Sequence, residues 1–222
     1  CIPLIRSDVA AVARFLPVSI LDRVDTTFIG YATVQDDKGT PFLMTGGAEG
    51  ETVVVTSLEE LREHLESPAP CTVQFSGEIV GSTVIAVRSD KTLLGVGRTA
   101  HLQGIELALN QARNVIIRNV TISHEPDAGE TNDAMSINGG SQNIVIDRCE
   151  FYSDRVHDKD FYDGLLDIKN QSSFITVSNC VFHDHWKAIL ISSGDTQYAD
   201  SLIRITLHHN WFYNISSRLP LI

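Results

Sequence analysis

The sequence of 222 residues is poor in the features that mark several classes of protein. It has four cysteines and no CxxC motif, which disfavours a zinc site. Lysine and arginine number 17 against 28 acidic residues, and the net charge of −11 argues against a nucleic-acid partner, which usually meets a basic surface. Since no apolar run reaches the ~18 residues of a membrane span, we expect no membrane partner either.

The amino-terminal segment has no recognisable targeting pattern. The stretch "CIPLIRSDVAAVARFLPVSIL" is apolar but interrupted by charged residues and proline, unlike a secretory signal peptide. We interpret residues 1–26 as an extension of unknown role and residues 27–222 as one domain. A hydrophobic content of 43% with 20% charged residues fits a globular domain of that length.

A repeat runs along the second half of the chain. Its units are "NVIIRNVTI", "NIVIDRCEF", "FITVSNCVF" and "RITLHHNWF", which begin at positions 114, 143, 174 and 204 and are therefore 29, 31 and 30 residues apart. A second strand-like segment precedes each of the last three units. A period near 30 with several strands and no helix predicts a parallel β-helix, in which residues one period apart lie above one another at about 4.8 Å.

The period also predicts which side chains form the core and what covers its end. The repeat units end in an internal ladder of Ile122, Phe151, Phe182 and Phe212. Cys149 and Cys180 are equivalent to each other, and spacing leaves open whether they form a disulfide. The segment "TSLEELREHLE" predicts an amphipathic helix with a capping box, and we expect it to cover the first coil.

Five charged residues break the apolar pattern. Asp133, Asp163, Lys187 and Arg218 follow one another at 30, 24 and 31 residues, and Asp167 shares a strand face with Asp163. Stacking would gather them on one flank, where three carboxylates repel one another unless a cation lies between them. Calcium, a hard cation with oxygen ligands, is the natural candidate, although surface acids without a metal remain an alternative.

Several segments, in the correct order, resemble the motifs of pectate lyases, polysaccharide lyase family one. They are "NVIIRNV", "NDAMSI", "NIVIDRCEF", "DGLLDIKNQSSFITVSNCVFHDHWKAILI" and "ITLHHNWFYNISSRLP". The resemblance covers residues 74–222 and, more weakly, the chain from about residue 28. It implies an all-β fold, a right-handed parallel β-helix with a short N-terminal capping helix. It also implies a secreted enzyme that cleaves α-1,4-linked polygalacturonate (pectate) by Ca²⁺-dependent β-elimination.

The resemblance also implies a role for each charged residue. Asp133, Asp163 and Asp167 match the calcium-binding acids, Lys187 the lysine that binds a substrate carboxylate, and Arg218 the catalytic base. An arginine side chain ordinarily has a pKa above about 12, so we expect activity to rise above about pH 8.

The sequence departs from the family pattern at two places. Arg148 stands where a histidine is usual, at a position of the repeat that suggests a turn or stacking role. The chain ends at Ile222, before a second substrate-binding arginine and the segment that covers the last coil in the family. We therefore expect domain 27–222 to be truncated at its C-terminus, and to be monomeric unless the open coil associates.

Other readings stay open at this point. A non-catalytic β-helix that binds polysaccharide or mediates adhesion is the alternative from another class. A pectin lyase, which acts on methylated polymer without calcium, would not need the three acids, and a hydrolase would need carboxylates that activate water. We expect four histidines to form structural hydrogen bonds rather than a metal site, namely His183, His185, His208 and His209.

Overall fold

The computed structural model describes residues 28–124, 133–192, 194 and 196–222. The predicted extension, residues 1–26, lies outside the described residues. Over the part that is described, no helix has both the length and the apolar character needed to cross a membrane.

One α-helix and sixteen strands make up the regular structure of the described chain. The helix, α1, spans Leu58–Glu66. The strands are, in chain order, β1 (Glu51–Val54), β2 (Cys71–Phe75), β3 (Glu78–Ala86), β4 (Lys91–Gly95), β5 (His101–Asn110), β6 (Arg113–Arg118), β7 (Thr121–Ser123), β8 (Met135–Asn138), β9 (Gln142–Asp147), β10 (Glu150–Tyr152), β11 (Leu166–Ile168), β12 (Ser173–Ser178), β13 (Val181–Lys187), β14 (Ile189–Ile191), β15 (Ile205–His208) and β16 (Trp211–Ser217).

The strands stack into the parallel β-helix that the repeat predicts. A seven-stranded sheet has the order β1-β2-β4-β6-β9-β12-β15, and a nine-stranded sheet has the order β14-β11-β8-β5-β7-β10-β13-β16, with β3 beside β5. All pairings between these strands are parallel. The long β5 joins two stacks, because residues 101–103 pair with β7 and residues 107–110 pair with β8. Each coil therefore contributes strands to three faces.

The predicted ladder forms the inside of these coils. Ile122 pairs with Phe151, Phe151 with Phe182, and Phe182 with Phe212. The ring centroids of Phe151 and Phe182 lie 4.9 Å apart, and those of Phe182 and Phe212 lie 5.0 Å apart. Such stacked pairs stabilise a core by about 0.5–1.5 kcal/mol each beyond the burial of their area.

Cys149 and Cys180 form a second buried ladder, and both are free thiols. The Cys149 backbone N–H donates to Cys180 Sγ at 3.4 Å. Burial raises the pKa of the Cys180 thiol well above its ordinary value. The question that spacing left open is thus answered: in this fold the two cysteines act as small core residues.

The predicted capping helix is present and covers the first coil. Ser57 Oγ accepts a hydrogen bond from the Glu60 backbone N–H, and Glu60 Oε2 accepts one from the Thr56 backbone N–H at 2.8 Å. These contacts satisfy N–H groups that a helix start leaves unpaired. Leu61 and Leu65 are fully buried against the core, so one face of α1 closes the end of the solenoid.

The sharp corner after each strand of the seven-stranded sheet requires a left-handed residue. Asn119, Arg148, Asn179 and His209 occupy this corner in four successive coils, with φ between 54° and 57°. Asparagine tolerates this conformation best among residues with a side chain, which explains why it fills two of the four corners. Arg148 is therefore a turn residue, as its place in the repeat predicted.

Candidate active site

The five charged residues lie where strands of the nine-stranded sheet begin and end. Asp167 lies within β11, Asp133 precedes β8, and Lys187 ends β13. Arg218 follows β16 directly, and the pairing of Lys187 with Ser217 brings it beside the preceding coil. The parallel register therefore converts large separations along the chain into short distances in space.

The three aspartates form a compact carboxylate cluster. One oxygen from each of Asp133, Asp163 and Asp167 lies within 4.8 Å of the others. Asp133 and Asp167 are buried, whereas Asp163 is half-buried and faces the solvent side. Oxygen-only donors, two of them fixed by burial, fit a hard divalent cation such as Ca²⁺.

Gly164 lies in the middle of this cluster. Its backbone N–H donates to Asp133 Oδ1 at 3.0 Å. A Cβ atom at this position would lie 2.8 Å from Asp167 Oδ1 and 2.9 Å from Asp133 Oδ1, closer than a carbon can approach. Only glycine leaves the space in which these oxygens converge.

The two basic residues adjoin the cluster from its exposed side. Lys187 Nζ lies 2.9 Å from Asp163 Oδ1. Arg218 Nη1 lies 3.4 Å from Asp167 Oδ1 and 3.7 Å from Asp163 Oδ1. The structure thus brings all five residues named from the sequence to one place, and their roles are taken up below as a proposal.

A sixth charged residue, Lys169, was not singled out from the sequence. Its Nζ lies 2.8 Å from Asp167 Oδ2 and 3.8 Å from Asp133 Oδ2. Burial acts to lower the pKa of Lys169, but the hydrogen bond and charge of Asp167 raise it overall. The pattern D-x-K, which places two opposite charges on one face of a strand, is the sequence feature that could have revealed it.

The buried carboxylates carry strongly shifted pKa values. Burial, reinforced by the negative charge of Asp167, raises the pKa of Asp133 to about 8. Burial also raises the pKa of Asp167, although Lys169 and Arg218 oppose the shift. A cluster that prefers to hold a proton when it has no metal is one in which a divalent cation can take the place of that proton.

The segment that leads into Asp163 is held by its own contacts. Asp154 accepts hydrogen bonds from the backbone of Val156 and His157, and the Trp186 indole N–H donates to the His157 carbonyl at 3.0 Å. The Arg155 guanidinium lies over the Trp186 ring, 4.3 Å from its centroid. These contacts fix the segment between β10 and β11 and so help to position Asp163.

The four histidines take part in hydrogen bonds, as predicted. His183 lies between Glu150 and Asp184, and His208 contacts His209. His185 is fully buried, and its Nδ1 accepts from the Lys187 backbone N–H at 3.0 Å. None of these four belongs to a group of potential metal ligands in the described ranges.

Fold and site together define a class: a parallel β-helical protein with a cation-type carboxylate cluster and adjacent basic residues on one flank. A profile of the family described as "Pectate lyase" matches residues 26–222. The chain belongs to the pectate lyase family.

Individual relatives agree with this assignment. The chain is 43% identical to pectate lyase plyB of Emericella nidulans over 196 residues, which are 87% of this chain and 57% of that protein. It is 38% identical to a pectate trisaccharide-lyase of Bacillus licheniformis over 185 residues, covering 79% of this chain and 53% of that protein. The chain thus spans little more than half the length of these curated relatives.

Solved structures confirm the right-handed parallel β-helix. Pectate lyase Bsp165PelA from Bacillus sp. N165, determined in complex with trigalacturonate, superposes with a TM-score of 0.75 at 34% identity. The match covers 88% of this chain and 64% of that one. The thermostable pectate lyase PL 47 superposes with a TM-score of 0.74 at 24% identity, which supports the fold alone.

Proposed function

We propose that this chain carries the catalytic centre of a calcium-dependent pectate lyase, which cleaves α-1,4-linked polygalacturonate by β-elimination. The observation that supports it best is the meeting of Arg218 with the three-aspartate cluster, at 3.4 Å from Asp167. An acidic protein needs such a combination of metal and basic residues to hold an acidic polymer.

Asp133, Asp163 and Asp167 would hold Ca²⁺. When bound, the ion supplies Lewis-acid polarisation of the substrate C6 carboxylate, which makes the neighbouring C5 proton more acidic. The protein contributes a cluster fixed by burial and by the Gly164 N–H, so little rearrangement is required of the ligands.

Lys187 would bind and stabilise the substrate carboxylate. Its ammonium group now contacts Asp163 and lies 3.7 Å from Asp160. A substrate carboxylate entering on this side would take over one of these contacts. Because negative charge grows on the substrate carboxylate as the C5 proton leaves, a fixed ammonium favours the transition state over the bound substrate.

Arg218 would take the C5 proton as a neutral guanidine. The electron pair of the C5–H bond then forms the C4–C5 double bond, the C4–O bond breaks, and the leaving oxygen acquires a proton. No water is consumed. Since arginine is neutral only in a small fraction of molecules near pH 7, the proposal requires a rate that rises towards alkaline pH.

The remaining assignments follow from this function. We propose residues 27–222 as a lyase domain that stops short of the family's C-terminal segment, with residues 1–26 as an extension of unknown role. Polygalacturonate occurs outside cells, so the enzyme would be secreted. The trigalacturonate complex of the related Bacillus enzyme makes an oligogalacturonate the appropriate first ligand. We propose that the domain acts as a monomer.

The product distinguishes the candidate functions. Purified protein is incubated with polygalacturonate, with Ca²⁺ or with EDTA, and both ultraviolet absorbance and reducing ends are followed. The lyase forms unsaturated, absorbing ends only with Ca²⁺. Reducing ends without absorbance would indicate a hydrolase, and EDTA-resistant absorbance with methylated polymer would indicate a pectin lyase. Binding without either product would indicate the non-catalytic polysaccharide-binding module.

A further inference from the structure

A second group of metal-ligating side chains lies at the capped end of the solenoid. Glu51 is the first residue of β1, Cys71 is the first residue of β2, and His64 lies in the last turn of α1. One ligand atom from each of the three lies within 4.8 Å of the others. None of them belongs to the carboxylate cluster described above.

The fold fixes this meeting of three elements. Glu51 and Cys71 are direct partners in the parallel β1–β2 pairing. The helix α1 connects these two strands, and the burial of Leu61 and Leu65 sets which of its sides faces the core. His64, between these two leucines, therefore lies at the edge of the buried face, beside the beginning of both strands.

The donor set differs in kind from that of the aspartate cluster. A thiolate sulfur, an imidazole nitrogen and a carboxylate oxygen are the ligands that Zn²⁺ takes, whereas Ca²⁺ prefers oxygen alone. Ligand atoms around a tetrahedral zinc ion lie about 3.5 Å from one another. Groups already within 4.8 Å reach that geometry by small side-chain rotations.

We propose that Glu51, His64 and Cys71 form a second cation site, selective for Zn²⁺ or a similar borderline-soft divalent metal, which fastens the capping helix to the first two strands. Three protein ligands leave a fourth position for water. The site has a route for entry, because Glu51 is exposed and His64 half-exposed while Cys71 is buried. Its function is structural, and it is independent of the lyase chemistry.

The charges around Cys71 are consistent with a site that gains from a cation. Burial, followed by the carboxylate of Glu51, raises the pKa of the Cys71 thiol, and only Lys91 opposes the shift. Lys91 is the register partner of Cys71 on β4, and its ammonium group donates to the Ala69 carbonyl. A divalent cation would reverse the preference at Cys71 by stabilising the thiolate, and Lys91 moderates the negative charge that thiolate and Glu51 add together.

The site departs from the expectation drawn from cysteine spacing. Absence of CxxC motifs disfavours zinc fingers and ribbons, in which ligands are close in sequence. Here the ligands belong to a strand, a helix and the next strand, so only the β1–β2 register brings them together.

The test uses Co²⁺ as a spectroscopic substitute for Zn²⁺. Chelator-treated protein with the background substitution Cys1→Ser is titrated with Co²⁺, and the thiolate-to-metal charge-transfer band is recorded. We expect one equivalent to saturate the band, Zn²⁺ to displace it, and Cys71→Ser to abolish it. His64→Gln and Glu51→Gln should weaken Co²⁺ binding at least tenfold. Glu63→Gln, on an exposed position of the same helix, and Asp163→Asn, in the calcium cluster, should leave it unchanged.

A second readout is the melting temperature. Zn²⁺ should raise it in the parent protein and in Glu63→Gln, but not in His64→Gln, because binding to the folded state alone stabilises that state. If Cys71→Ser does not fold, the two glutamine variants still decide the question, since both positions are open to solvent. Absence of a band, a band that survives Cys71→Ser, or full affinity in both His64→Gln and Glu51→Gln overturns the proposal.

Discussion

Arg218 Nη1 lies 3.4 Å from Asp167 Oδ1, although 51 positions of the chain separate the two residues. Asp167 lies in β11, and Arg218 follows β16 on a later coil. The parallel register thus joins the proposed base to the proposed metal site, and every functional statement about this flank depends on that contact.

Arg218→Lys tests the assignment of the base. We expect kcat to fall by about 10²–10⁴-fold, the usual contribution of a positioned acid or base. Calcium binding should persist, because the substitution leaves all three aspartates in place. The measurement is the initial rate of unsaturated product formation, together with calcium affinity from calorimetry.

The matched control for this substitution is Arg204→Lys. Arg204 pairs with Asp37 at 3.1 Å on the other sheet side, away from the aspartates, so the rate should be unaffected. Retention of more than about a tenth of the parent rate by Arg218→Lys contradicts general-base catalysis by this residue.

Gly164→Ala tests whether the carboxylates converge as described. The new Cβ would lie within 2.9 Å of two carboxylate oxygens and force them apart. We expect at least a tenfold loss of calcium affinity, measured by calorimetry. Gly140→Ala is the comparison: its φ of 75° makes alanine unfavourable by about 1 kcal/mol, but no atom lies near its Cβ. That variant should lose stability and keep its calcium affinity.

The raised pKa of Asp133 predicts a pH dependence of stability without metal. The ordinary value of 3.8 applies to the unfolded chain and about 8 to the folded one. Between these values the folded state binds more protons, so the free energy of unfolding should fall as pH rises from about 4 to 8 in EDTA. Urea unfolding measured across this range checks the sign.

Calcium should counteract this loss at the alkaline end, because it binds the ionised cluster. Asp133→Asn cannot ionise and should flatten the dependence. If the EDTA-treated protein instead gains stability from pH 4 to 8 and Asp133→Asn behaves in the same way, the assigned shift is wrong.

The aromatic ladder predicts the effect of core truncation. Phe182 is fully buried between Phe151 and Phe212, so Phe182→Ala should lower the free energy of unfolding by about 3–5 kcal/mol. Phe182→Leu should have a smaller effect. Trp211→Ala, at a residue with 64% exposure, should change stability by less than about 1 kcal/mol. Equal losses in Phe182→Ala and Trp211→Ala would contradict the stacking described here.

The second half of the fold could be predicted because its coils have nearly constant length. Val115 pairs with Ile144, Ile144 with Ile175, and Ile175 with Ile205, at the spacing read from the sequence. The same spacing places Asp133, Asp163 and Arg218 on one flank. Constant length makes one-dimensional position a measure of three-dimensional register.

The first coils were harder to predict because they are shorter. Glu51 pairs with Cys71 and Cys71 with Lys91, each 20 residues on, and Lys91 pairs with Val115 after 24. A search for a period near 30 cannot detect these pairs, so the cluster of Glu51, His64 and Cys71 was not foreseen. Lys169 was not singled out for another reason: a lysine in a strand is commonly solvated, and only the burial of its partner Asp167 shows its role.

The calcium dependence of the initial rate tests the central claim most directly. Unsaturated product formation from polygalacturonate is measured over a range of Ca²⁺ concentrations for the parent protein and for Asp163→Asn. Lys187 and Arg218 are present in both. The account predicts no product in EDTA, restoration by Ca²⁺, and a half-saturating Ca²⁺ concentration at least tenfold higher in Asp163→Asn. Product formation in EDTA, or identical Ca²⁺ dependence in the two proteins, would contradict it.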